Sequence, residues 1–259
     1  MGARIHPTAV VDAGARLGDG VVVGPFTVVG PHVTVGDDTE IGPHVVLDGH
    51  TTIGRRCTLT GQSSIGAPPQ DLKYAGGPTR LEIGDDNVIR EFVTLNRATE
   101  HGGGVTRIGS HGMFMAYAHV AHDCTVGDHV VMANAATLAG HVTIEDHAIV
   151  GGLVAIHQFV RIGESVILGG GAMVTLDVAP YCMAAGDRAS LHGLNVIGLR
   201  RRGFSEETIK ALRAAYRTLF QSGAKLRDAL DRLRREFADE PRVQHLVRFI
   251  EGSERGICR

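Results

Sequence analysis

Three histidines and one aspartate concentrate in two short segments, AHVAHD (118–123) and LAGH (138–141). His122 directly precedes Asp123, and His141 follows Asp123 by 18 residues. An imidazole that is neutral near physiological pH and is oriented by a carboxylate can act as a general base. These residues therefore predict a proton-accepting site, provided that the fold brings positions 18 apart into contact.

Two other interpretations fit the same residues. Histidines at the corners of a regular fold can be ordinary polar surface groups. His119, His122 and His141 could also hold a catalytic Zn²⁺ with one open coordination position, as histidines do in the β-helical carbonic anhydrases. Their spacing matches no tetrahedral pattern, so we prefer the general base and expect no metal.

A hydrophobic residue recurs at every sixth position in three runs, and 26 positions follow this spacing. They are Ile5, Val11, Leu17, Val23, Val29, Val35, Ile41, Leu47, Ile53, Leu59, Ile65, then Ile83, Ile89, Leu95, then Ile108, Phe114, Val120, Val126, Met132, Leu138, Ile144, Val150, Ile156, Ile162, Leu168 and Val174. A strand repeats every 2 residues and a helix every 3.6, so neither fits. A three-sided solenoid does fit: each hexad is a short strand and a turn, and three hexads make an 18-residue coil. Parallel pairing stacks the coils roughly 4.8 Å apart, which places Asp123 and His141 on adjacent coils.

Two insertions interrupt the repeat, at residues 66–82 and 96–107. Insertions in a solenoid leave the regular body as loops, often on the binding face. We predict that residues 1–190 form the solenoid with these two loops.

The repeat ends near Val178, and a link containing Pro and Gly follows (179–198). Helical spacing of apolar residues then begins, with Ser205 as a predicted N-cap, Gly223 as a stop, and Pro241 before the last helix. We predict a C-terminal helical domain over 191–259 that caps the last coil. Residues 200–259 hold 15 Lys+Arg against 9 Asp+Glu, whereas residues 1–199 hold 11 against 19. A basic tail on an acidic body favours an acidic partner for the tail.

Composition limits the class of protein. Aromatics are only 5%, Trp is absent, and there are 35 glycines, which favours many equivalent small layers over one bulky core. The four cysteines form no CxxC pair and no signal peptide precedes them, so we expect free thiols and a cytoplasmic protein. No apolar run reaches the roughly 18 residues of a spanning helix, so no membrane insertion is expected.

Several segments in order resemble the signatures of the UDP-N-acetylglucosamine acyltransferases, which belong to the hexapeptide-repeat superfamily. These segments are QDLKYAG (70–76), HGGGVTRIG (101–109), AHVAHDCTVG (118–127), LAGHV (138–142), HQF (157–159) and GLRRRGF (198–204). The hexads alone are typical of the whole superfamily, whereas QDLKYAG followed by AHVAHD is much more specific. The resemblance covers essentially the whole chain and implies a mainly β fold, a left-handed parallel β-helix with a small C-terminal α-helical domain.

The resemblance also implies catalytic roles in the first enzyme of lipid A synthesis. His122 would remove the proton from the 3-hydroxyl of UDP-N-acetylglucosamine, which then attacks an acyl thioester on acyl carrier protein. Asp123 would hold the imidazole in its useful tautomer. The backbone N–H of Gly140 would face the developing oxyanion. No cofactor and no acyl-enzyme are required, so Cys124 is interpreted as a small corner residue.

Substrate-binding residues follow from the same resemblance. Lys73 would contact the nucleotide diphosphate, and Gln70 and Asp71 would help to bind the sugar. The groove would be lined by His119, His141, His157 and Gln158. Asn195 and Arg201 would contact the nucleotide end, while Gly170, in LGGGAM (168–173), would leave the acyl groove open for a chain longer than ten carbons.

The family is a homotrimer with sites between subunits, and the run Arg200, Arg201 and Arg202 could dock the acidic carrier protein. We expect no nucleic-acid partner. Arg188 stands where familiar members have histidine, and Ile197 where an acidic residue can occur, which leaves nucleotide-end contacts open. N-acylation of a 3-amino UDP sugar, a β-helical zinc hydratase and a purely structural β-helix remain alternatives. The sister N-acyltransferase of the pathway has an N-terminal globular domain, which the hexads starting at Ile5 argue against.

Overall fold

A computed structural model describes residues 2–259, and most of them form a three-sided parallel β-helix. From β1 to β26, successive strands fall in turn on sheets A, B and C, and each pairs in parallel with the strand one coil away. Sheet A contains β1 (Arg4–Ile5), β4 (Val22–Val23), β7 (Glu40–Ile41), β10 (Thr58–Leu59), β13 (Val88–Ile89), β16 (Met113–Phe114), β19 (Val131–Met132), β22 (Ile149–Val150), β25 (Ile167–Leu168), β27 (Cys182–Ala185) and β28 (Ser190–Leu194). Sheet B contains β2 (Val10–Val11), β5 (Val28–Val29), β8 (Val46–Leu47), β11 (Ser64–Ala67), β14 (Thr94–Asn96), β17 (His119–Val120), β20 (Thr137–Leu138), β23 (Ala155–Ile156) and β26 (Met173–Val174). Sheet C contains β3 (Arg16–Leu17), β6 (Thr34–Val35), β9 (His50–Ile53), β12 (Arg80–Ile83), β15 (Val105–Ile108), β18 (Thr125–Val126), β21 (Thr143–Ile144) and β24 (Arg161–Ile162).

The hexad residues form the core of the β-helix. From Val23 to Val174 they are all buried, and each stacks on its counterpart in the neighbouring coils. Burial of this continuous apolar column supplies the main stabilisation of the coils. Ile5 is 47% exposed because no coil covers that end of the described chain.

Both loops leave the solenoid at the same corner, where sheet B turns into sheet C. The first joins β11 to β12 through residues 68–79, and the second joins β14 to β15 through residues 97–104. His122, His141 and Phe159 belong to this B–C corner in the three coils that follow. The insertions and the histidine cluster are therefore stacked along one edge of the molecule.

The chain between the last coil and the predicted helices forms a hairpin where we expected only a link. β27 and β28 pair in antiparallel fashion on the end of sheet A, and the helix α1 (Val196–Arg201) follows directly. The strand-to-helix change therefore falls between Leu194 and Val196. These elements are too short to produce a period in the sequence, since packing on the last coil decides them.

The remaining helices follow the sequence prediction. They are α2 (Glu206–Phe220), α3 (Leu226–Glu236) and α4 (Pro241–Glu251). Ser205 caps α2 by accepting a hydrogen bond from the Thr208 N–H, as predicted. Among residues 2–259, no helix is both long and apolar enough to cross a membrane.

A polar cluster fastens α4 to the last coils. His245 Nε2 lies 3.0 Å from Glu145 Oε2, and its Nδ1 lies 2.8 Å from the Tyr181 hydroxyl. Glu164 accepts hydrogen bonds from Arg202 and Arg242. Hydrogen bonds from Glu145 and then Glu164 raise the pKa of His245 to about 9, against the opposing effect of burial. Burial would raise the pKa of Glu164, but His245, Arg202, Arg242 and Tyr181 outweigh it and lower that pKa to about 2.

We predict that this cluster makes stability depend on pH between about 6.5 and 9. The raised pKa of His245 means that its contribution is complete below its ordinary value of 6.5 and is lost as pH rises through about 9. The contribution of Glu164 is present above 4.5 and is lost only as pH falls through about 2. The Tm difference between the wild type and a His245→Gln variant should be largest near pH 6.5 and shrink by pH 9.5. A difference that stays constant across this range would contradict the assignment.

Candidate active site

A cleft of about 830 Å³ opens at the B–C corner, between the coils and the two loops. It is lined by Gln70, Asp71, Leu72, Lys73, His101, Gly102, His122, His141, Gln158 and Phe159. Asp123, His141 and Phe159 occupy the same corner position in successive coils, each with φ of 60–65°. Asp and His tolerate this left-handed backbone better than most residues, so the corner can present them without glycine.

His122 and Asp123 form a hydrogen-bonded pair at the floor of this cleft. The distance from His122 Nδ1 to Asp123 Oδ2 is 2.8 Å, and the Asp123 side chain has 0% exposure. With Nδ1–H donating to the carboxylate, the imidazole has its Nε2 lone pair free to accept a proton. The His122 side chain is 13% exposed, so it can be reached from the cleft but is largely shielded from water.

Gly140 packs directly against the His122 ring. A Cβ at this position would stand 2.7 Å from His122 Nε2, so the close approach requires glycine. Among residues 2–259, no protein group accepts a hydrogen bond from the Gly140 N–H. The corner thus places a free backbone donor next to the imidazole.

The other two histidines of the cluster surround this pair. Burial lowers the pKa of His119, whose Nδ1 lies 2.7 Å from Thr94 Oγ1. Burial also lowers the pKa of His141, although Asp123 opposes the shift, with 3.7 Å between His141 Nε2 and Asp123 Oδ2. Both imidazoles are therefore neutral near pH 7. The predicted stacking of positions 18 apart is confirmed by these contacts.

The first loop brings its predicted residues to the opposite wall of the cleft. Gln70 and Lys73 are exposed, and Asp71 accepts a hydrogen bond from the Lys73 N–H at 2.9 Å. This backbone hydrogen bond, and then the charge of His101, lower the pKa of Asp71. His101 Nε2 lies 3.2 Å from Asp71 Oδ2, so the second loop is fastened to the first. Sequence reasoning quoted the segment containing His101 but did not select that residue.

The predicted residues of the HQF segment divide between wall and rim. Gln158 lines the cleft, and Phe159 stacks on His141 with ring centroids 4.5 Å apart. His157 is exposed, and its Nδ1 lies 3.1 Å from the Gln158 carbonyl oxygen. It does not line the cleft itself.

Asn195 and Arg201 do not join the histidines within one chain. They line a separate groove of about 690 Å³ on sheet A, together with His129, His147, Ser165 and apolar side chains of β19, β22 and β25. Asn195 is 4% exposed, and its side chain accepts from the Gly198 N–H and donates to the Ser165 carbonyl. Asn195 thus caps α1, while Arg201 is exposed at the edge of the groove.

Gly170 lies at the corner between sheets A and B. A Cβ there would have only the Gly152 carbonyl oxygen within 4 Å, at 3.3 Å. The position is exposed, so a side chain there would not be buried within the single chain.

A metal ion could use one atom each from His122, Asp123 and His141, which lie within 4.8 Å of one another. However, His122 and Asp123 are bonded to each other, and the Asp123 carboxylate also accepts from Thr99. The donor set would have to rearrange to give a tetrahedral shell. Cys124 offers no alternative chemistry, because burial raises the pKa of its thiol to about 12 and keeps it protonated.

Comparison with known proteins identifies the family. A protein from Thiobacillus denitrificans named acyl-[acyl-carrier-protein]–UDP-N-acetylglucosamine O-acyltransferase is 52% identical over 257 residues, which cover 99% of this chain and 100% of that protein. This chain belongs to the UDP-N-acetylglucosamine O-acyltransferase family. The profile described as "Udp N-acetylglucosamine O-acyltransferase; Domain 2" matches residues 177–258, which include the helical domain.

Solved structures agree with this family over the whole chain. The UDP-N-acetylglucosamine O-acyltransferase of Moraxella catarrhalis superimposes with a TM-score of 0.96 at 45% identity, covering 98% of this chain and 99% of that one. The Acinetobacter baumannii structure gives 0.96 at 44% identity, with the same coverage. The predicted left-handed parallel β-helix with a C-terminal helical domain is thereby confirmed.

Proposed function

We propose that this protein transfers a 3-hydroxyacyl chain from acyl carrier protein to the 3-hydroxyl of UDP-N-acetylglucosamine, the first step of lipid A biosynthesis. The observation that carries the proposal is the His122–Asp123 pair at the floor of a cleft, 2.8 Å apart, in a chain of this family. The relatives are named for this reaction, and the pair supplies the base that an O-acyl transfer needs.

The transfer needs one proton acceptor and one oxyanion donor. His122 Nε2 takes the proton of the sugar hydroxyl while its oxygen attacks the thioester carbonyl carbon. The Gly140 N–H stabilises the negative charge that develops on the carbonyl oxygen. A C–O bond forms, the C–S bond breaks, and His122 returns its proton to the departing thiolate of the carrier.

The cleft walls bind the acceptor. Lys73 is exposed on the first loop, where its ammonium can pair with the diphosphate. Gln70 and Asp71 offer hydrogen-bonding groups to the sugar from the same wall. The neutral imidazoles of His119 and His141, with Gln158 and the exposed His157 at the rim, line the path of the acyl chain.

Face polarity supports a homotrimer. Sheets A and B carry more apolar outward side chains than sheet C, among them Val28, Val46, Val131 and Ile149, and Val28 and Val46 are 42% and 43% exposed. The outward side chains of sheet C are polar or charged, namely Arg16, Thr34, Thr52, Glu82, Arg107, Thr125, Thr143 and Arg161. Three copies that face sheet A against sheet B would bury the apolar faces and leave sheet C in water.

Such a trimer would also complete the site. With A against B, the B–C corner of one copy meets the outer rim of the neighbour's sheet A. This brings His122 of one copy towards the groove that holds Asn195 and Arg201 in the next. The nucleotide end could then contact those two residues, which a single chain keeps apart from the histidines.

We predict that inactive chains complement each other. Trimers that contain both His122→Ala and Arg201→Ala chains should recover about a third of wild-type activity, because one of their three sites combines two intact halves. Each variant alone should show far less. Activity of purified mixed trimers, selected by two different affinity tags, is the measurement, and a mixture no more active than its parents would contradict shared sites.

The remaining assignments complete the proposal. The open space beyond Gly170 favours a chain longer than ten carbons. The basic helical domain, with Arg200 and Arg201 exposed, suits the acidic carrier protein. No cofactor takes part, and the reaction is placed in the cytoplasm, where carrier-bound acyl chains and nucleotide sugars are available.

The test is a panel of substrates followed by mass spectrometry. UDP-N-acetylglucosamine and its 3-amino analogue are each offered with 3-hydroxyacyl carrier proteins of increasing length. Preference for the hydroxyl sugar and for chains above ten carbons would support the proposal. Preference for the 3-amino sugar would instead establish N-acylation. If no acylated product forms and the purified protein contains zinc, the hydratase would be favoured.

A further inference from the structure

A second residue besides His122 bonds to the Asp123 carboxylate. Thr99 Oγ1 donates to Asp123 Oδ2 at 2.7 Å, and the Thr99 backbone N–H lies 3.1 Å from Oδ1. The Asp123 side chain is completely buried, so these donors replace water around the charge. Oδ2 is thus shared by the Thr99 hydroxyl and the His122 ring.

The Thr99 hydroxyl has only one direction in which to donate. Thr99 is fully buried, and its Oγ1 accepts a hydrogen bond from the Gly102 N–H at 3.1 Å. Because Oγ1 accepts from that N–H and Asp123 Oδ2 is the acceptor in reach among the described residues, the hydroxyl proton points to the carboxylate. Gly102 also lies against Asp123 so closely that a Cβ would overlap the carboxylate.

The strand that follows this loop fixes the backbone of the aspartate. The Asp123 N–H donates to Thr106 Oγ1 at 2.8 Å, and Thr106 is also fully buried. Thr99 lies near the start of the second loop and Thr106 lies on β15 just after it, so both ends of this insertion contact the residue that orients the base. The insertion therefore holds Asp123 in place in addition to forming a wall of the cleft.

A competitor for the carboxylate lies close by. His141 Nε2 is 3.7 Å from the same Oδ2 that bonds His122. A carboxylate without its Thr99 hydrogen bond could rotate towards His141, and the His122 ring would lose its fixed orientation.

We propose that Thr99 is a positioning residue, whose hydroxyl keeps Asp123 aligned with His122 during acyl transfer. This inference rests on the proposed function, because it assumes that His122 is the base. The general base contributes about 10²–10⁴-fold to a rate, so losing its alignment should cost a measurable part of that factor.

The experiment compares Thr99→Val with Thr99→Ser in the full-length protein. The valine variant should lower kcat about 10-fold or more and change KM less than about twofold, while serine should restore most of the rate. Thr39→Val is the matched control, since Thr39 is also fully buried and its hydroxyl also accepts from one backbone N–H, that of Cys57, and donates to one oxygen, the Gly54 carbonyl, far from the cleft. This control should retain wild-type kcat.

A double-mutant cycle separates positioning from general stability. In an Asp123→Ala background, Thr99→Val should have less than about a twofold further effect, because the partner of its hydroxyl is gone. Equal losses in both backgrounds, or a folded Thr99→Val protein with wild-type kcat, would overturn the inference. Either result leaves the proposed function intact as long as the wild type makes product and His122→Ala does not. If Thr99→Val fails to fold, Gly102→Ala tests the same alignment from the other side, and an unchanged kcat there would equally overturn it.

Discussion

Replacing His122 with alanine should lower kcat/KM by about 10²–10⁴-fold, the usual contribution of a positioned general base. The substitution removes the only proton acceptor that both lines the cleft and bonds to a buried carboxylate in the described chain. Tm should change little, since the buried Asp123 carboxylate keeps its hydrogen bonds from Thr99. The measurement is steady-state formation of the acylated UDP sugar.

The matched control for this variant is His32→Ala. His32 lies at the B–C corner of an earlier coil, is exposed, and stacks on His50 away from the cleft. It should keep wild-type activity. A folded His122→Ala protein that retains more than about a tenth of the wild-type rate would remove His122 from the role of base.

Replacing Gly140 with alanine should lower kcat by about 10²-fold or more, because the backbone N–H is retained but the base is displaced, and a positioned general base contributes about 10²–10⁴-fold. The new Cβ would stand 2.5 Å from His122 Cε1, so the ring must swing out of line with Asp123. The backbone itself can accept alanine because its φ is not in the left-handed region. One added methyl group thus displaces the base and also crowds the space next to the oxyanion donor.

Gly30→Ala controls for the cost of a methyl group at this corner. A Cβ on Gly30 would meet its nearest neighbour, the Leu47 carbonyl oxygen, at 3.3 Å. Two later coils already have alanine at the equivalent position, namely Ala121 and Ala139. We expect unchanged kcat and Tm for Gly30→Ala. Gly140→Ala is measured alongside this control. An unchanged kcat in Gly140→Ala would contradict the close packing of Gly140 on the His122 ring.

The solenoid was predictable because its information is periodic. A hexad repeat needs only local spacing, and it also predicted correctly that Asp123 and His141 would meet one coil apart. The helices were predictable for the same reason, with Ser205 marking a start that depends on the adjacent residues alone.

The parts that were missed depend on contacts distant in sequence. Thr99 and His101 were not selected, because their roles arise only when the second loop folds onto Asp123 and Asp71. The hairpin of β27 and β28 forms against the last coil and has no period of its own. Asn195 was predicted to contact the nucleotide, yet both ends of its amide are used within the fold, so Arg201 is the better candidate.

The most direct test of the central claim is the position of the acyl group in the product. Wild-type protein is incubated with UDP-N-acetylglucosamine and a 3-hydroxyacyl carrier protein, and the product is characterised by mass spectrometry and NMR. The account predicts an ester on the 3-oxygen of the sugar, with one free carrier thiol released for each ester formed. An acyl group elsewhere on the sugar, or thiol release without acylated sugar, would contradict it.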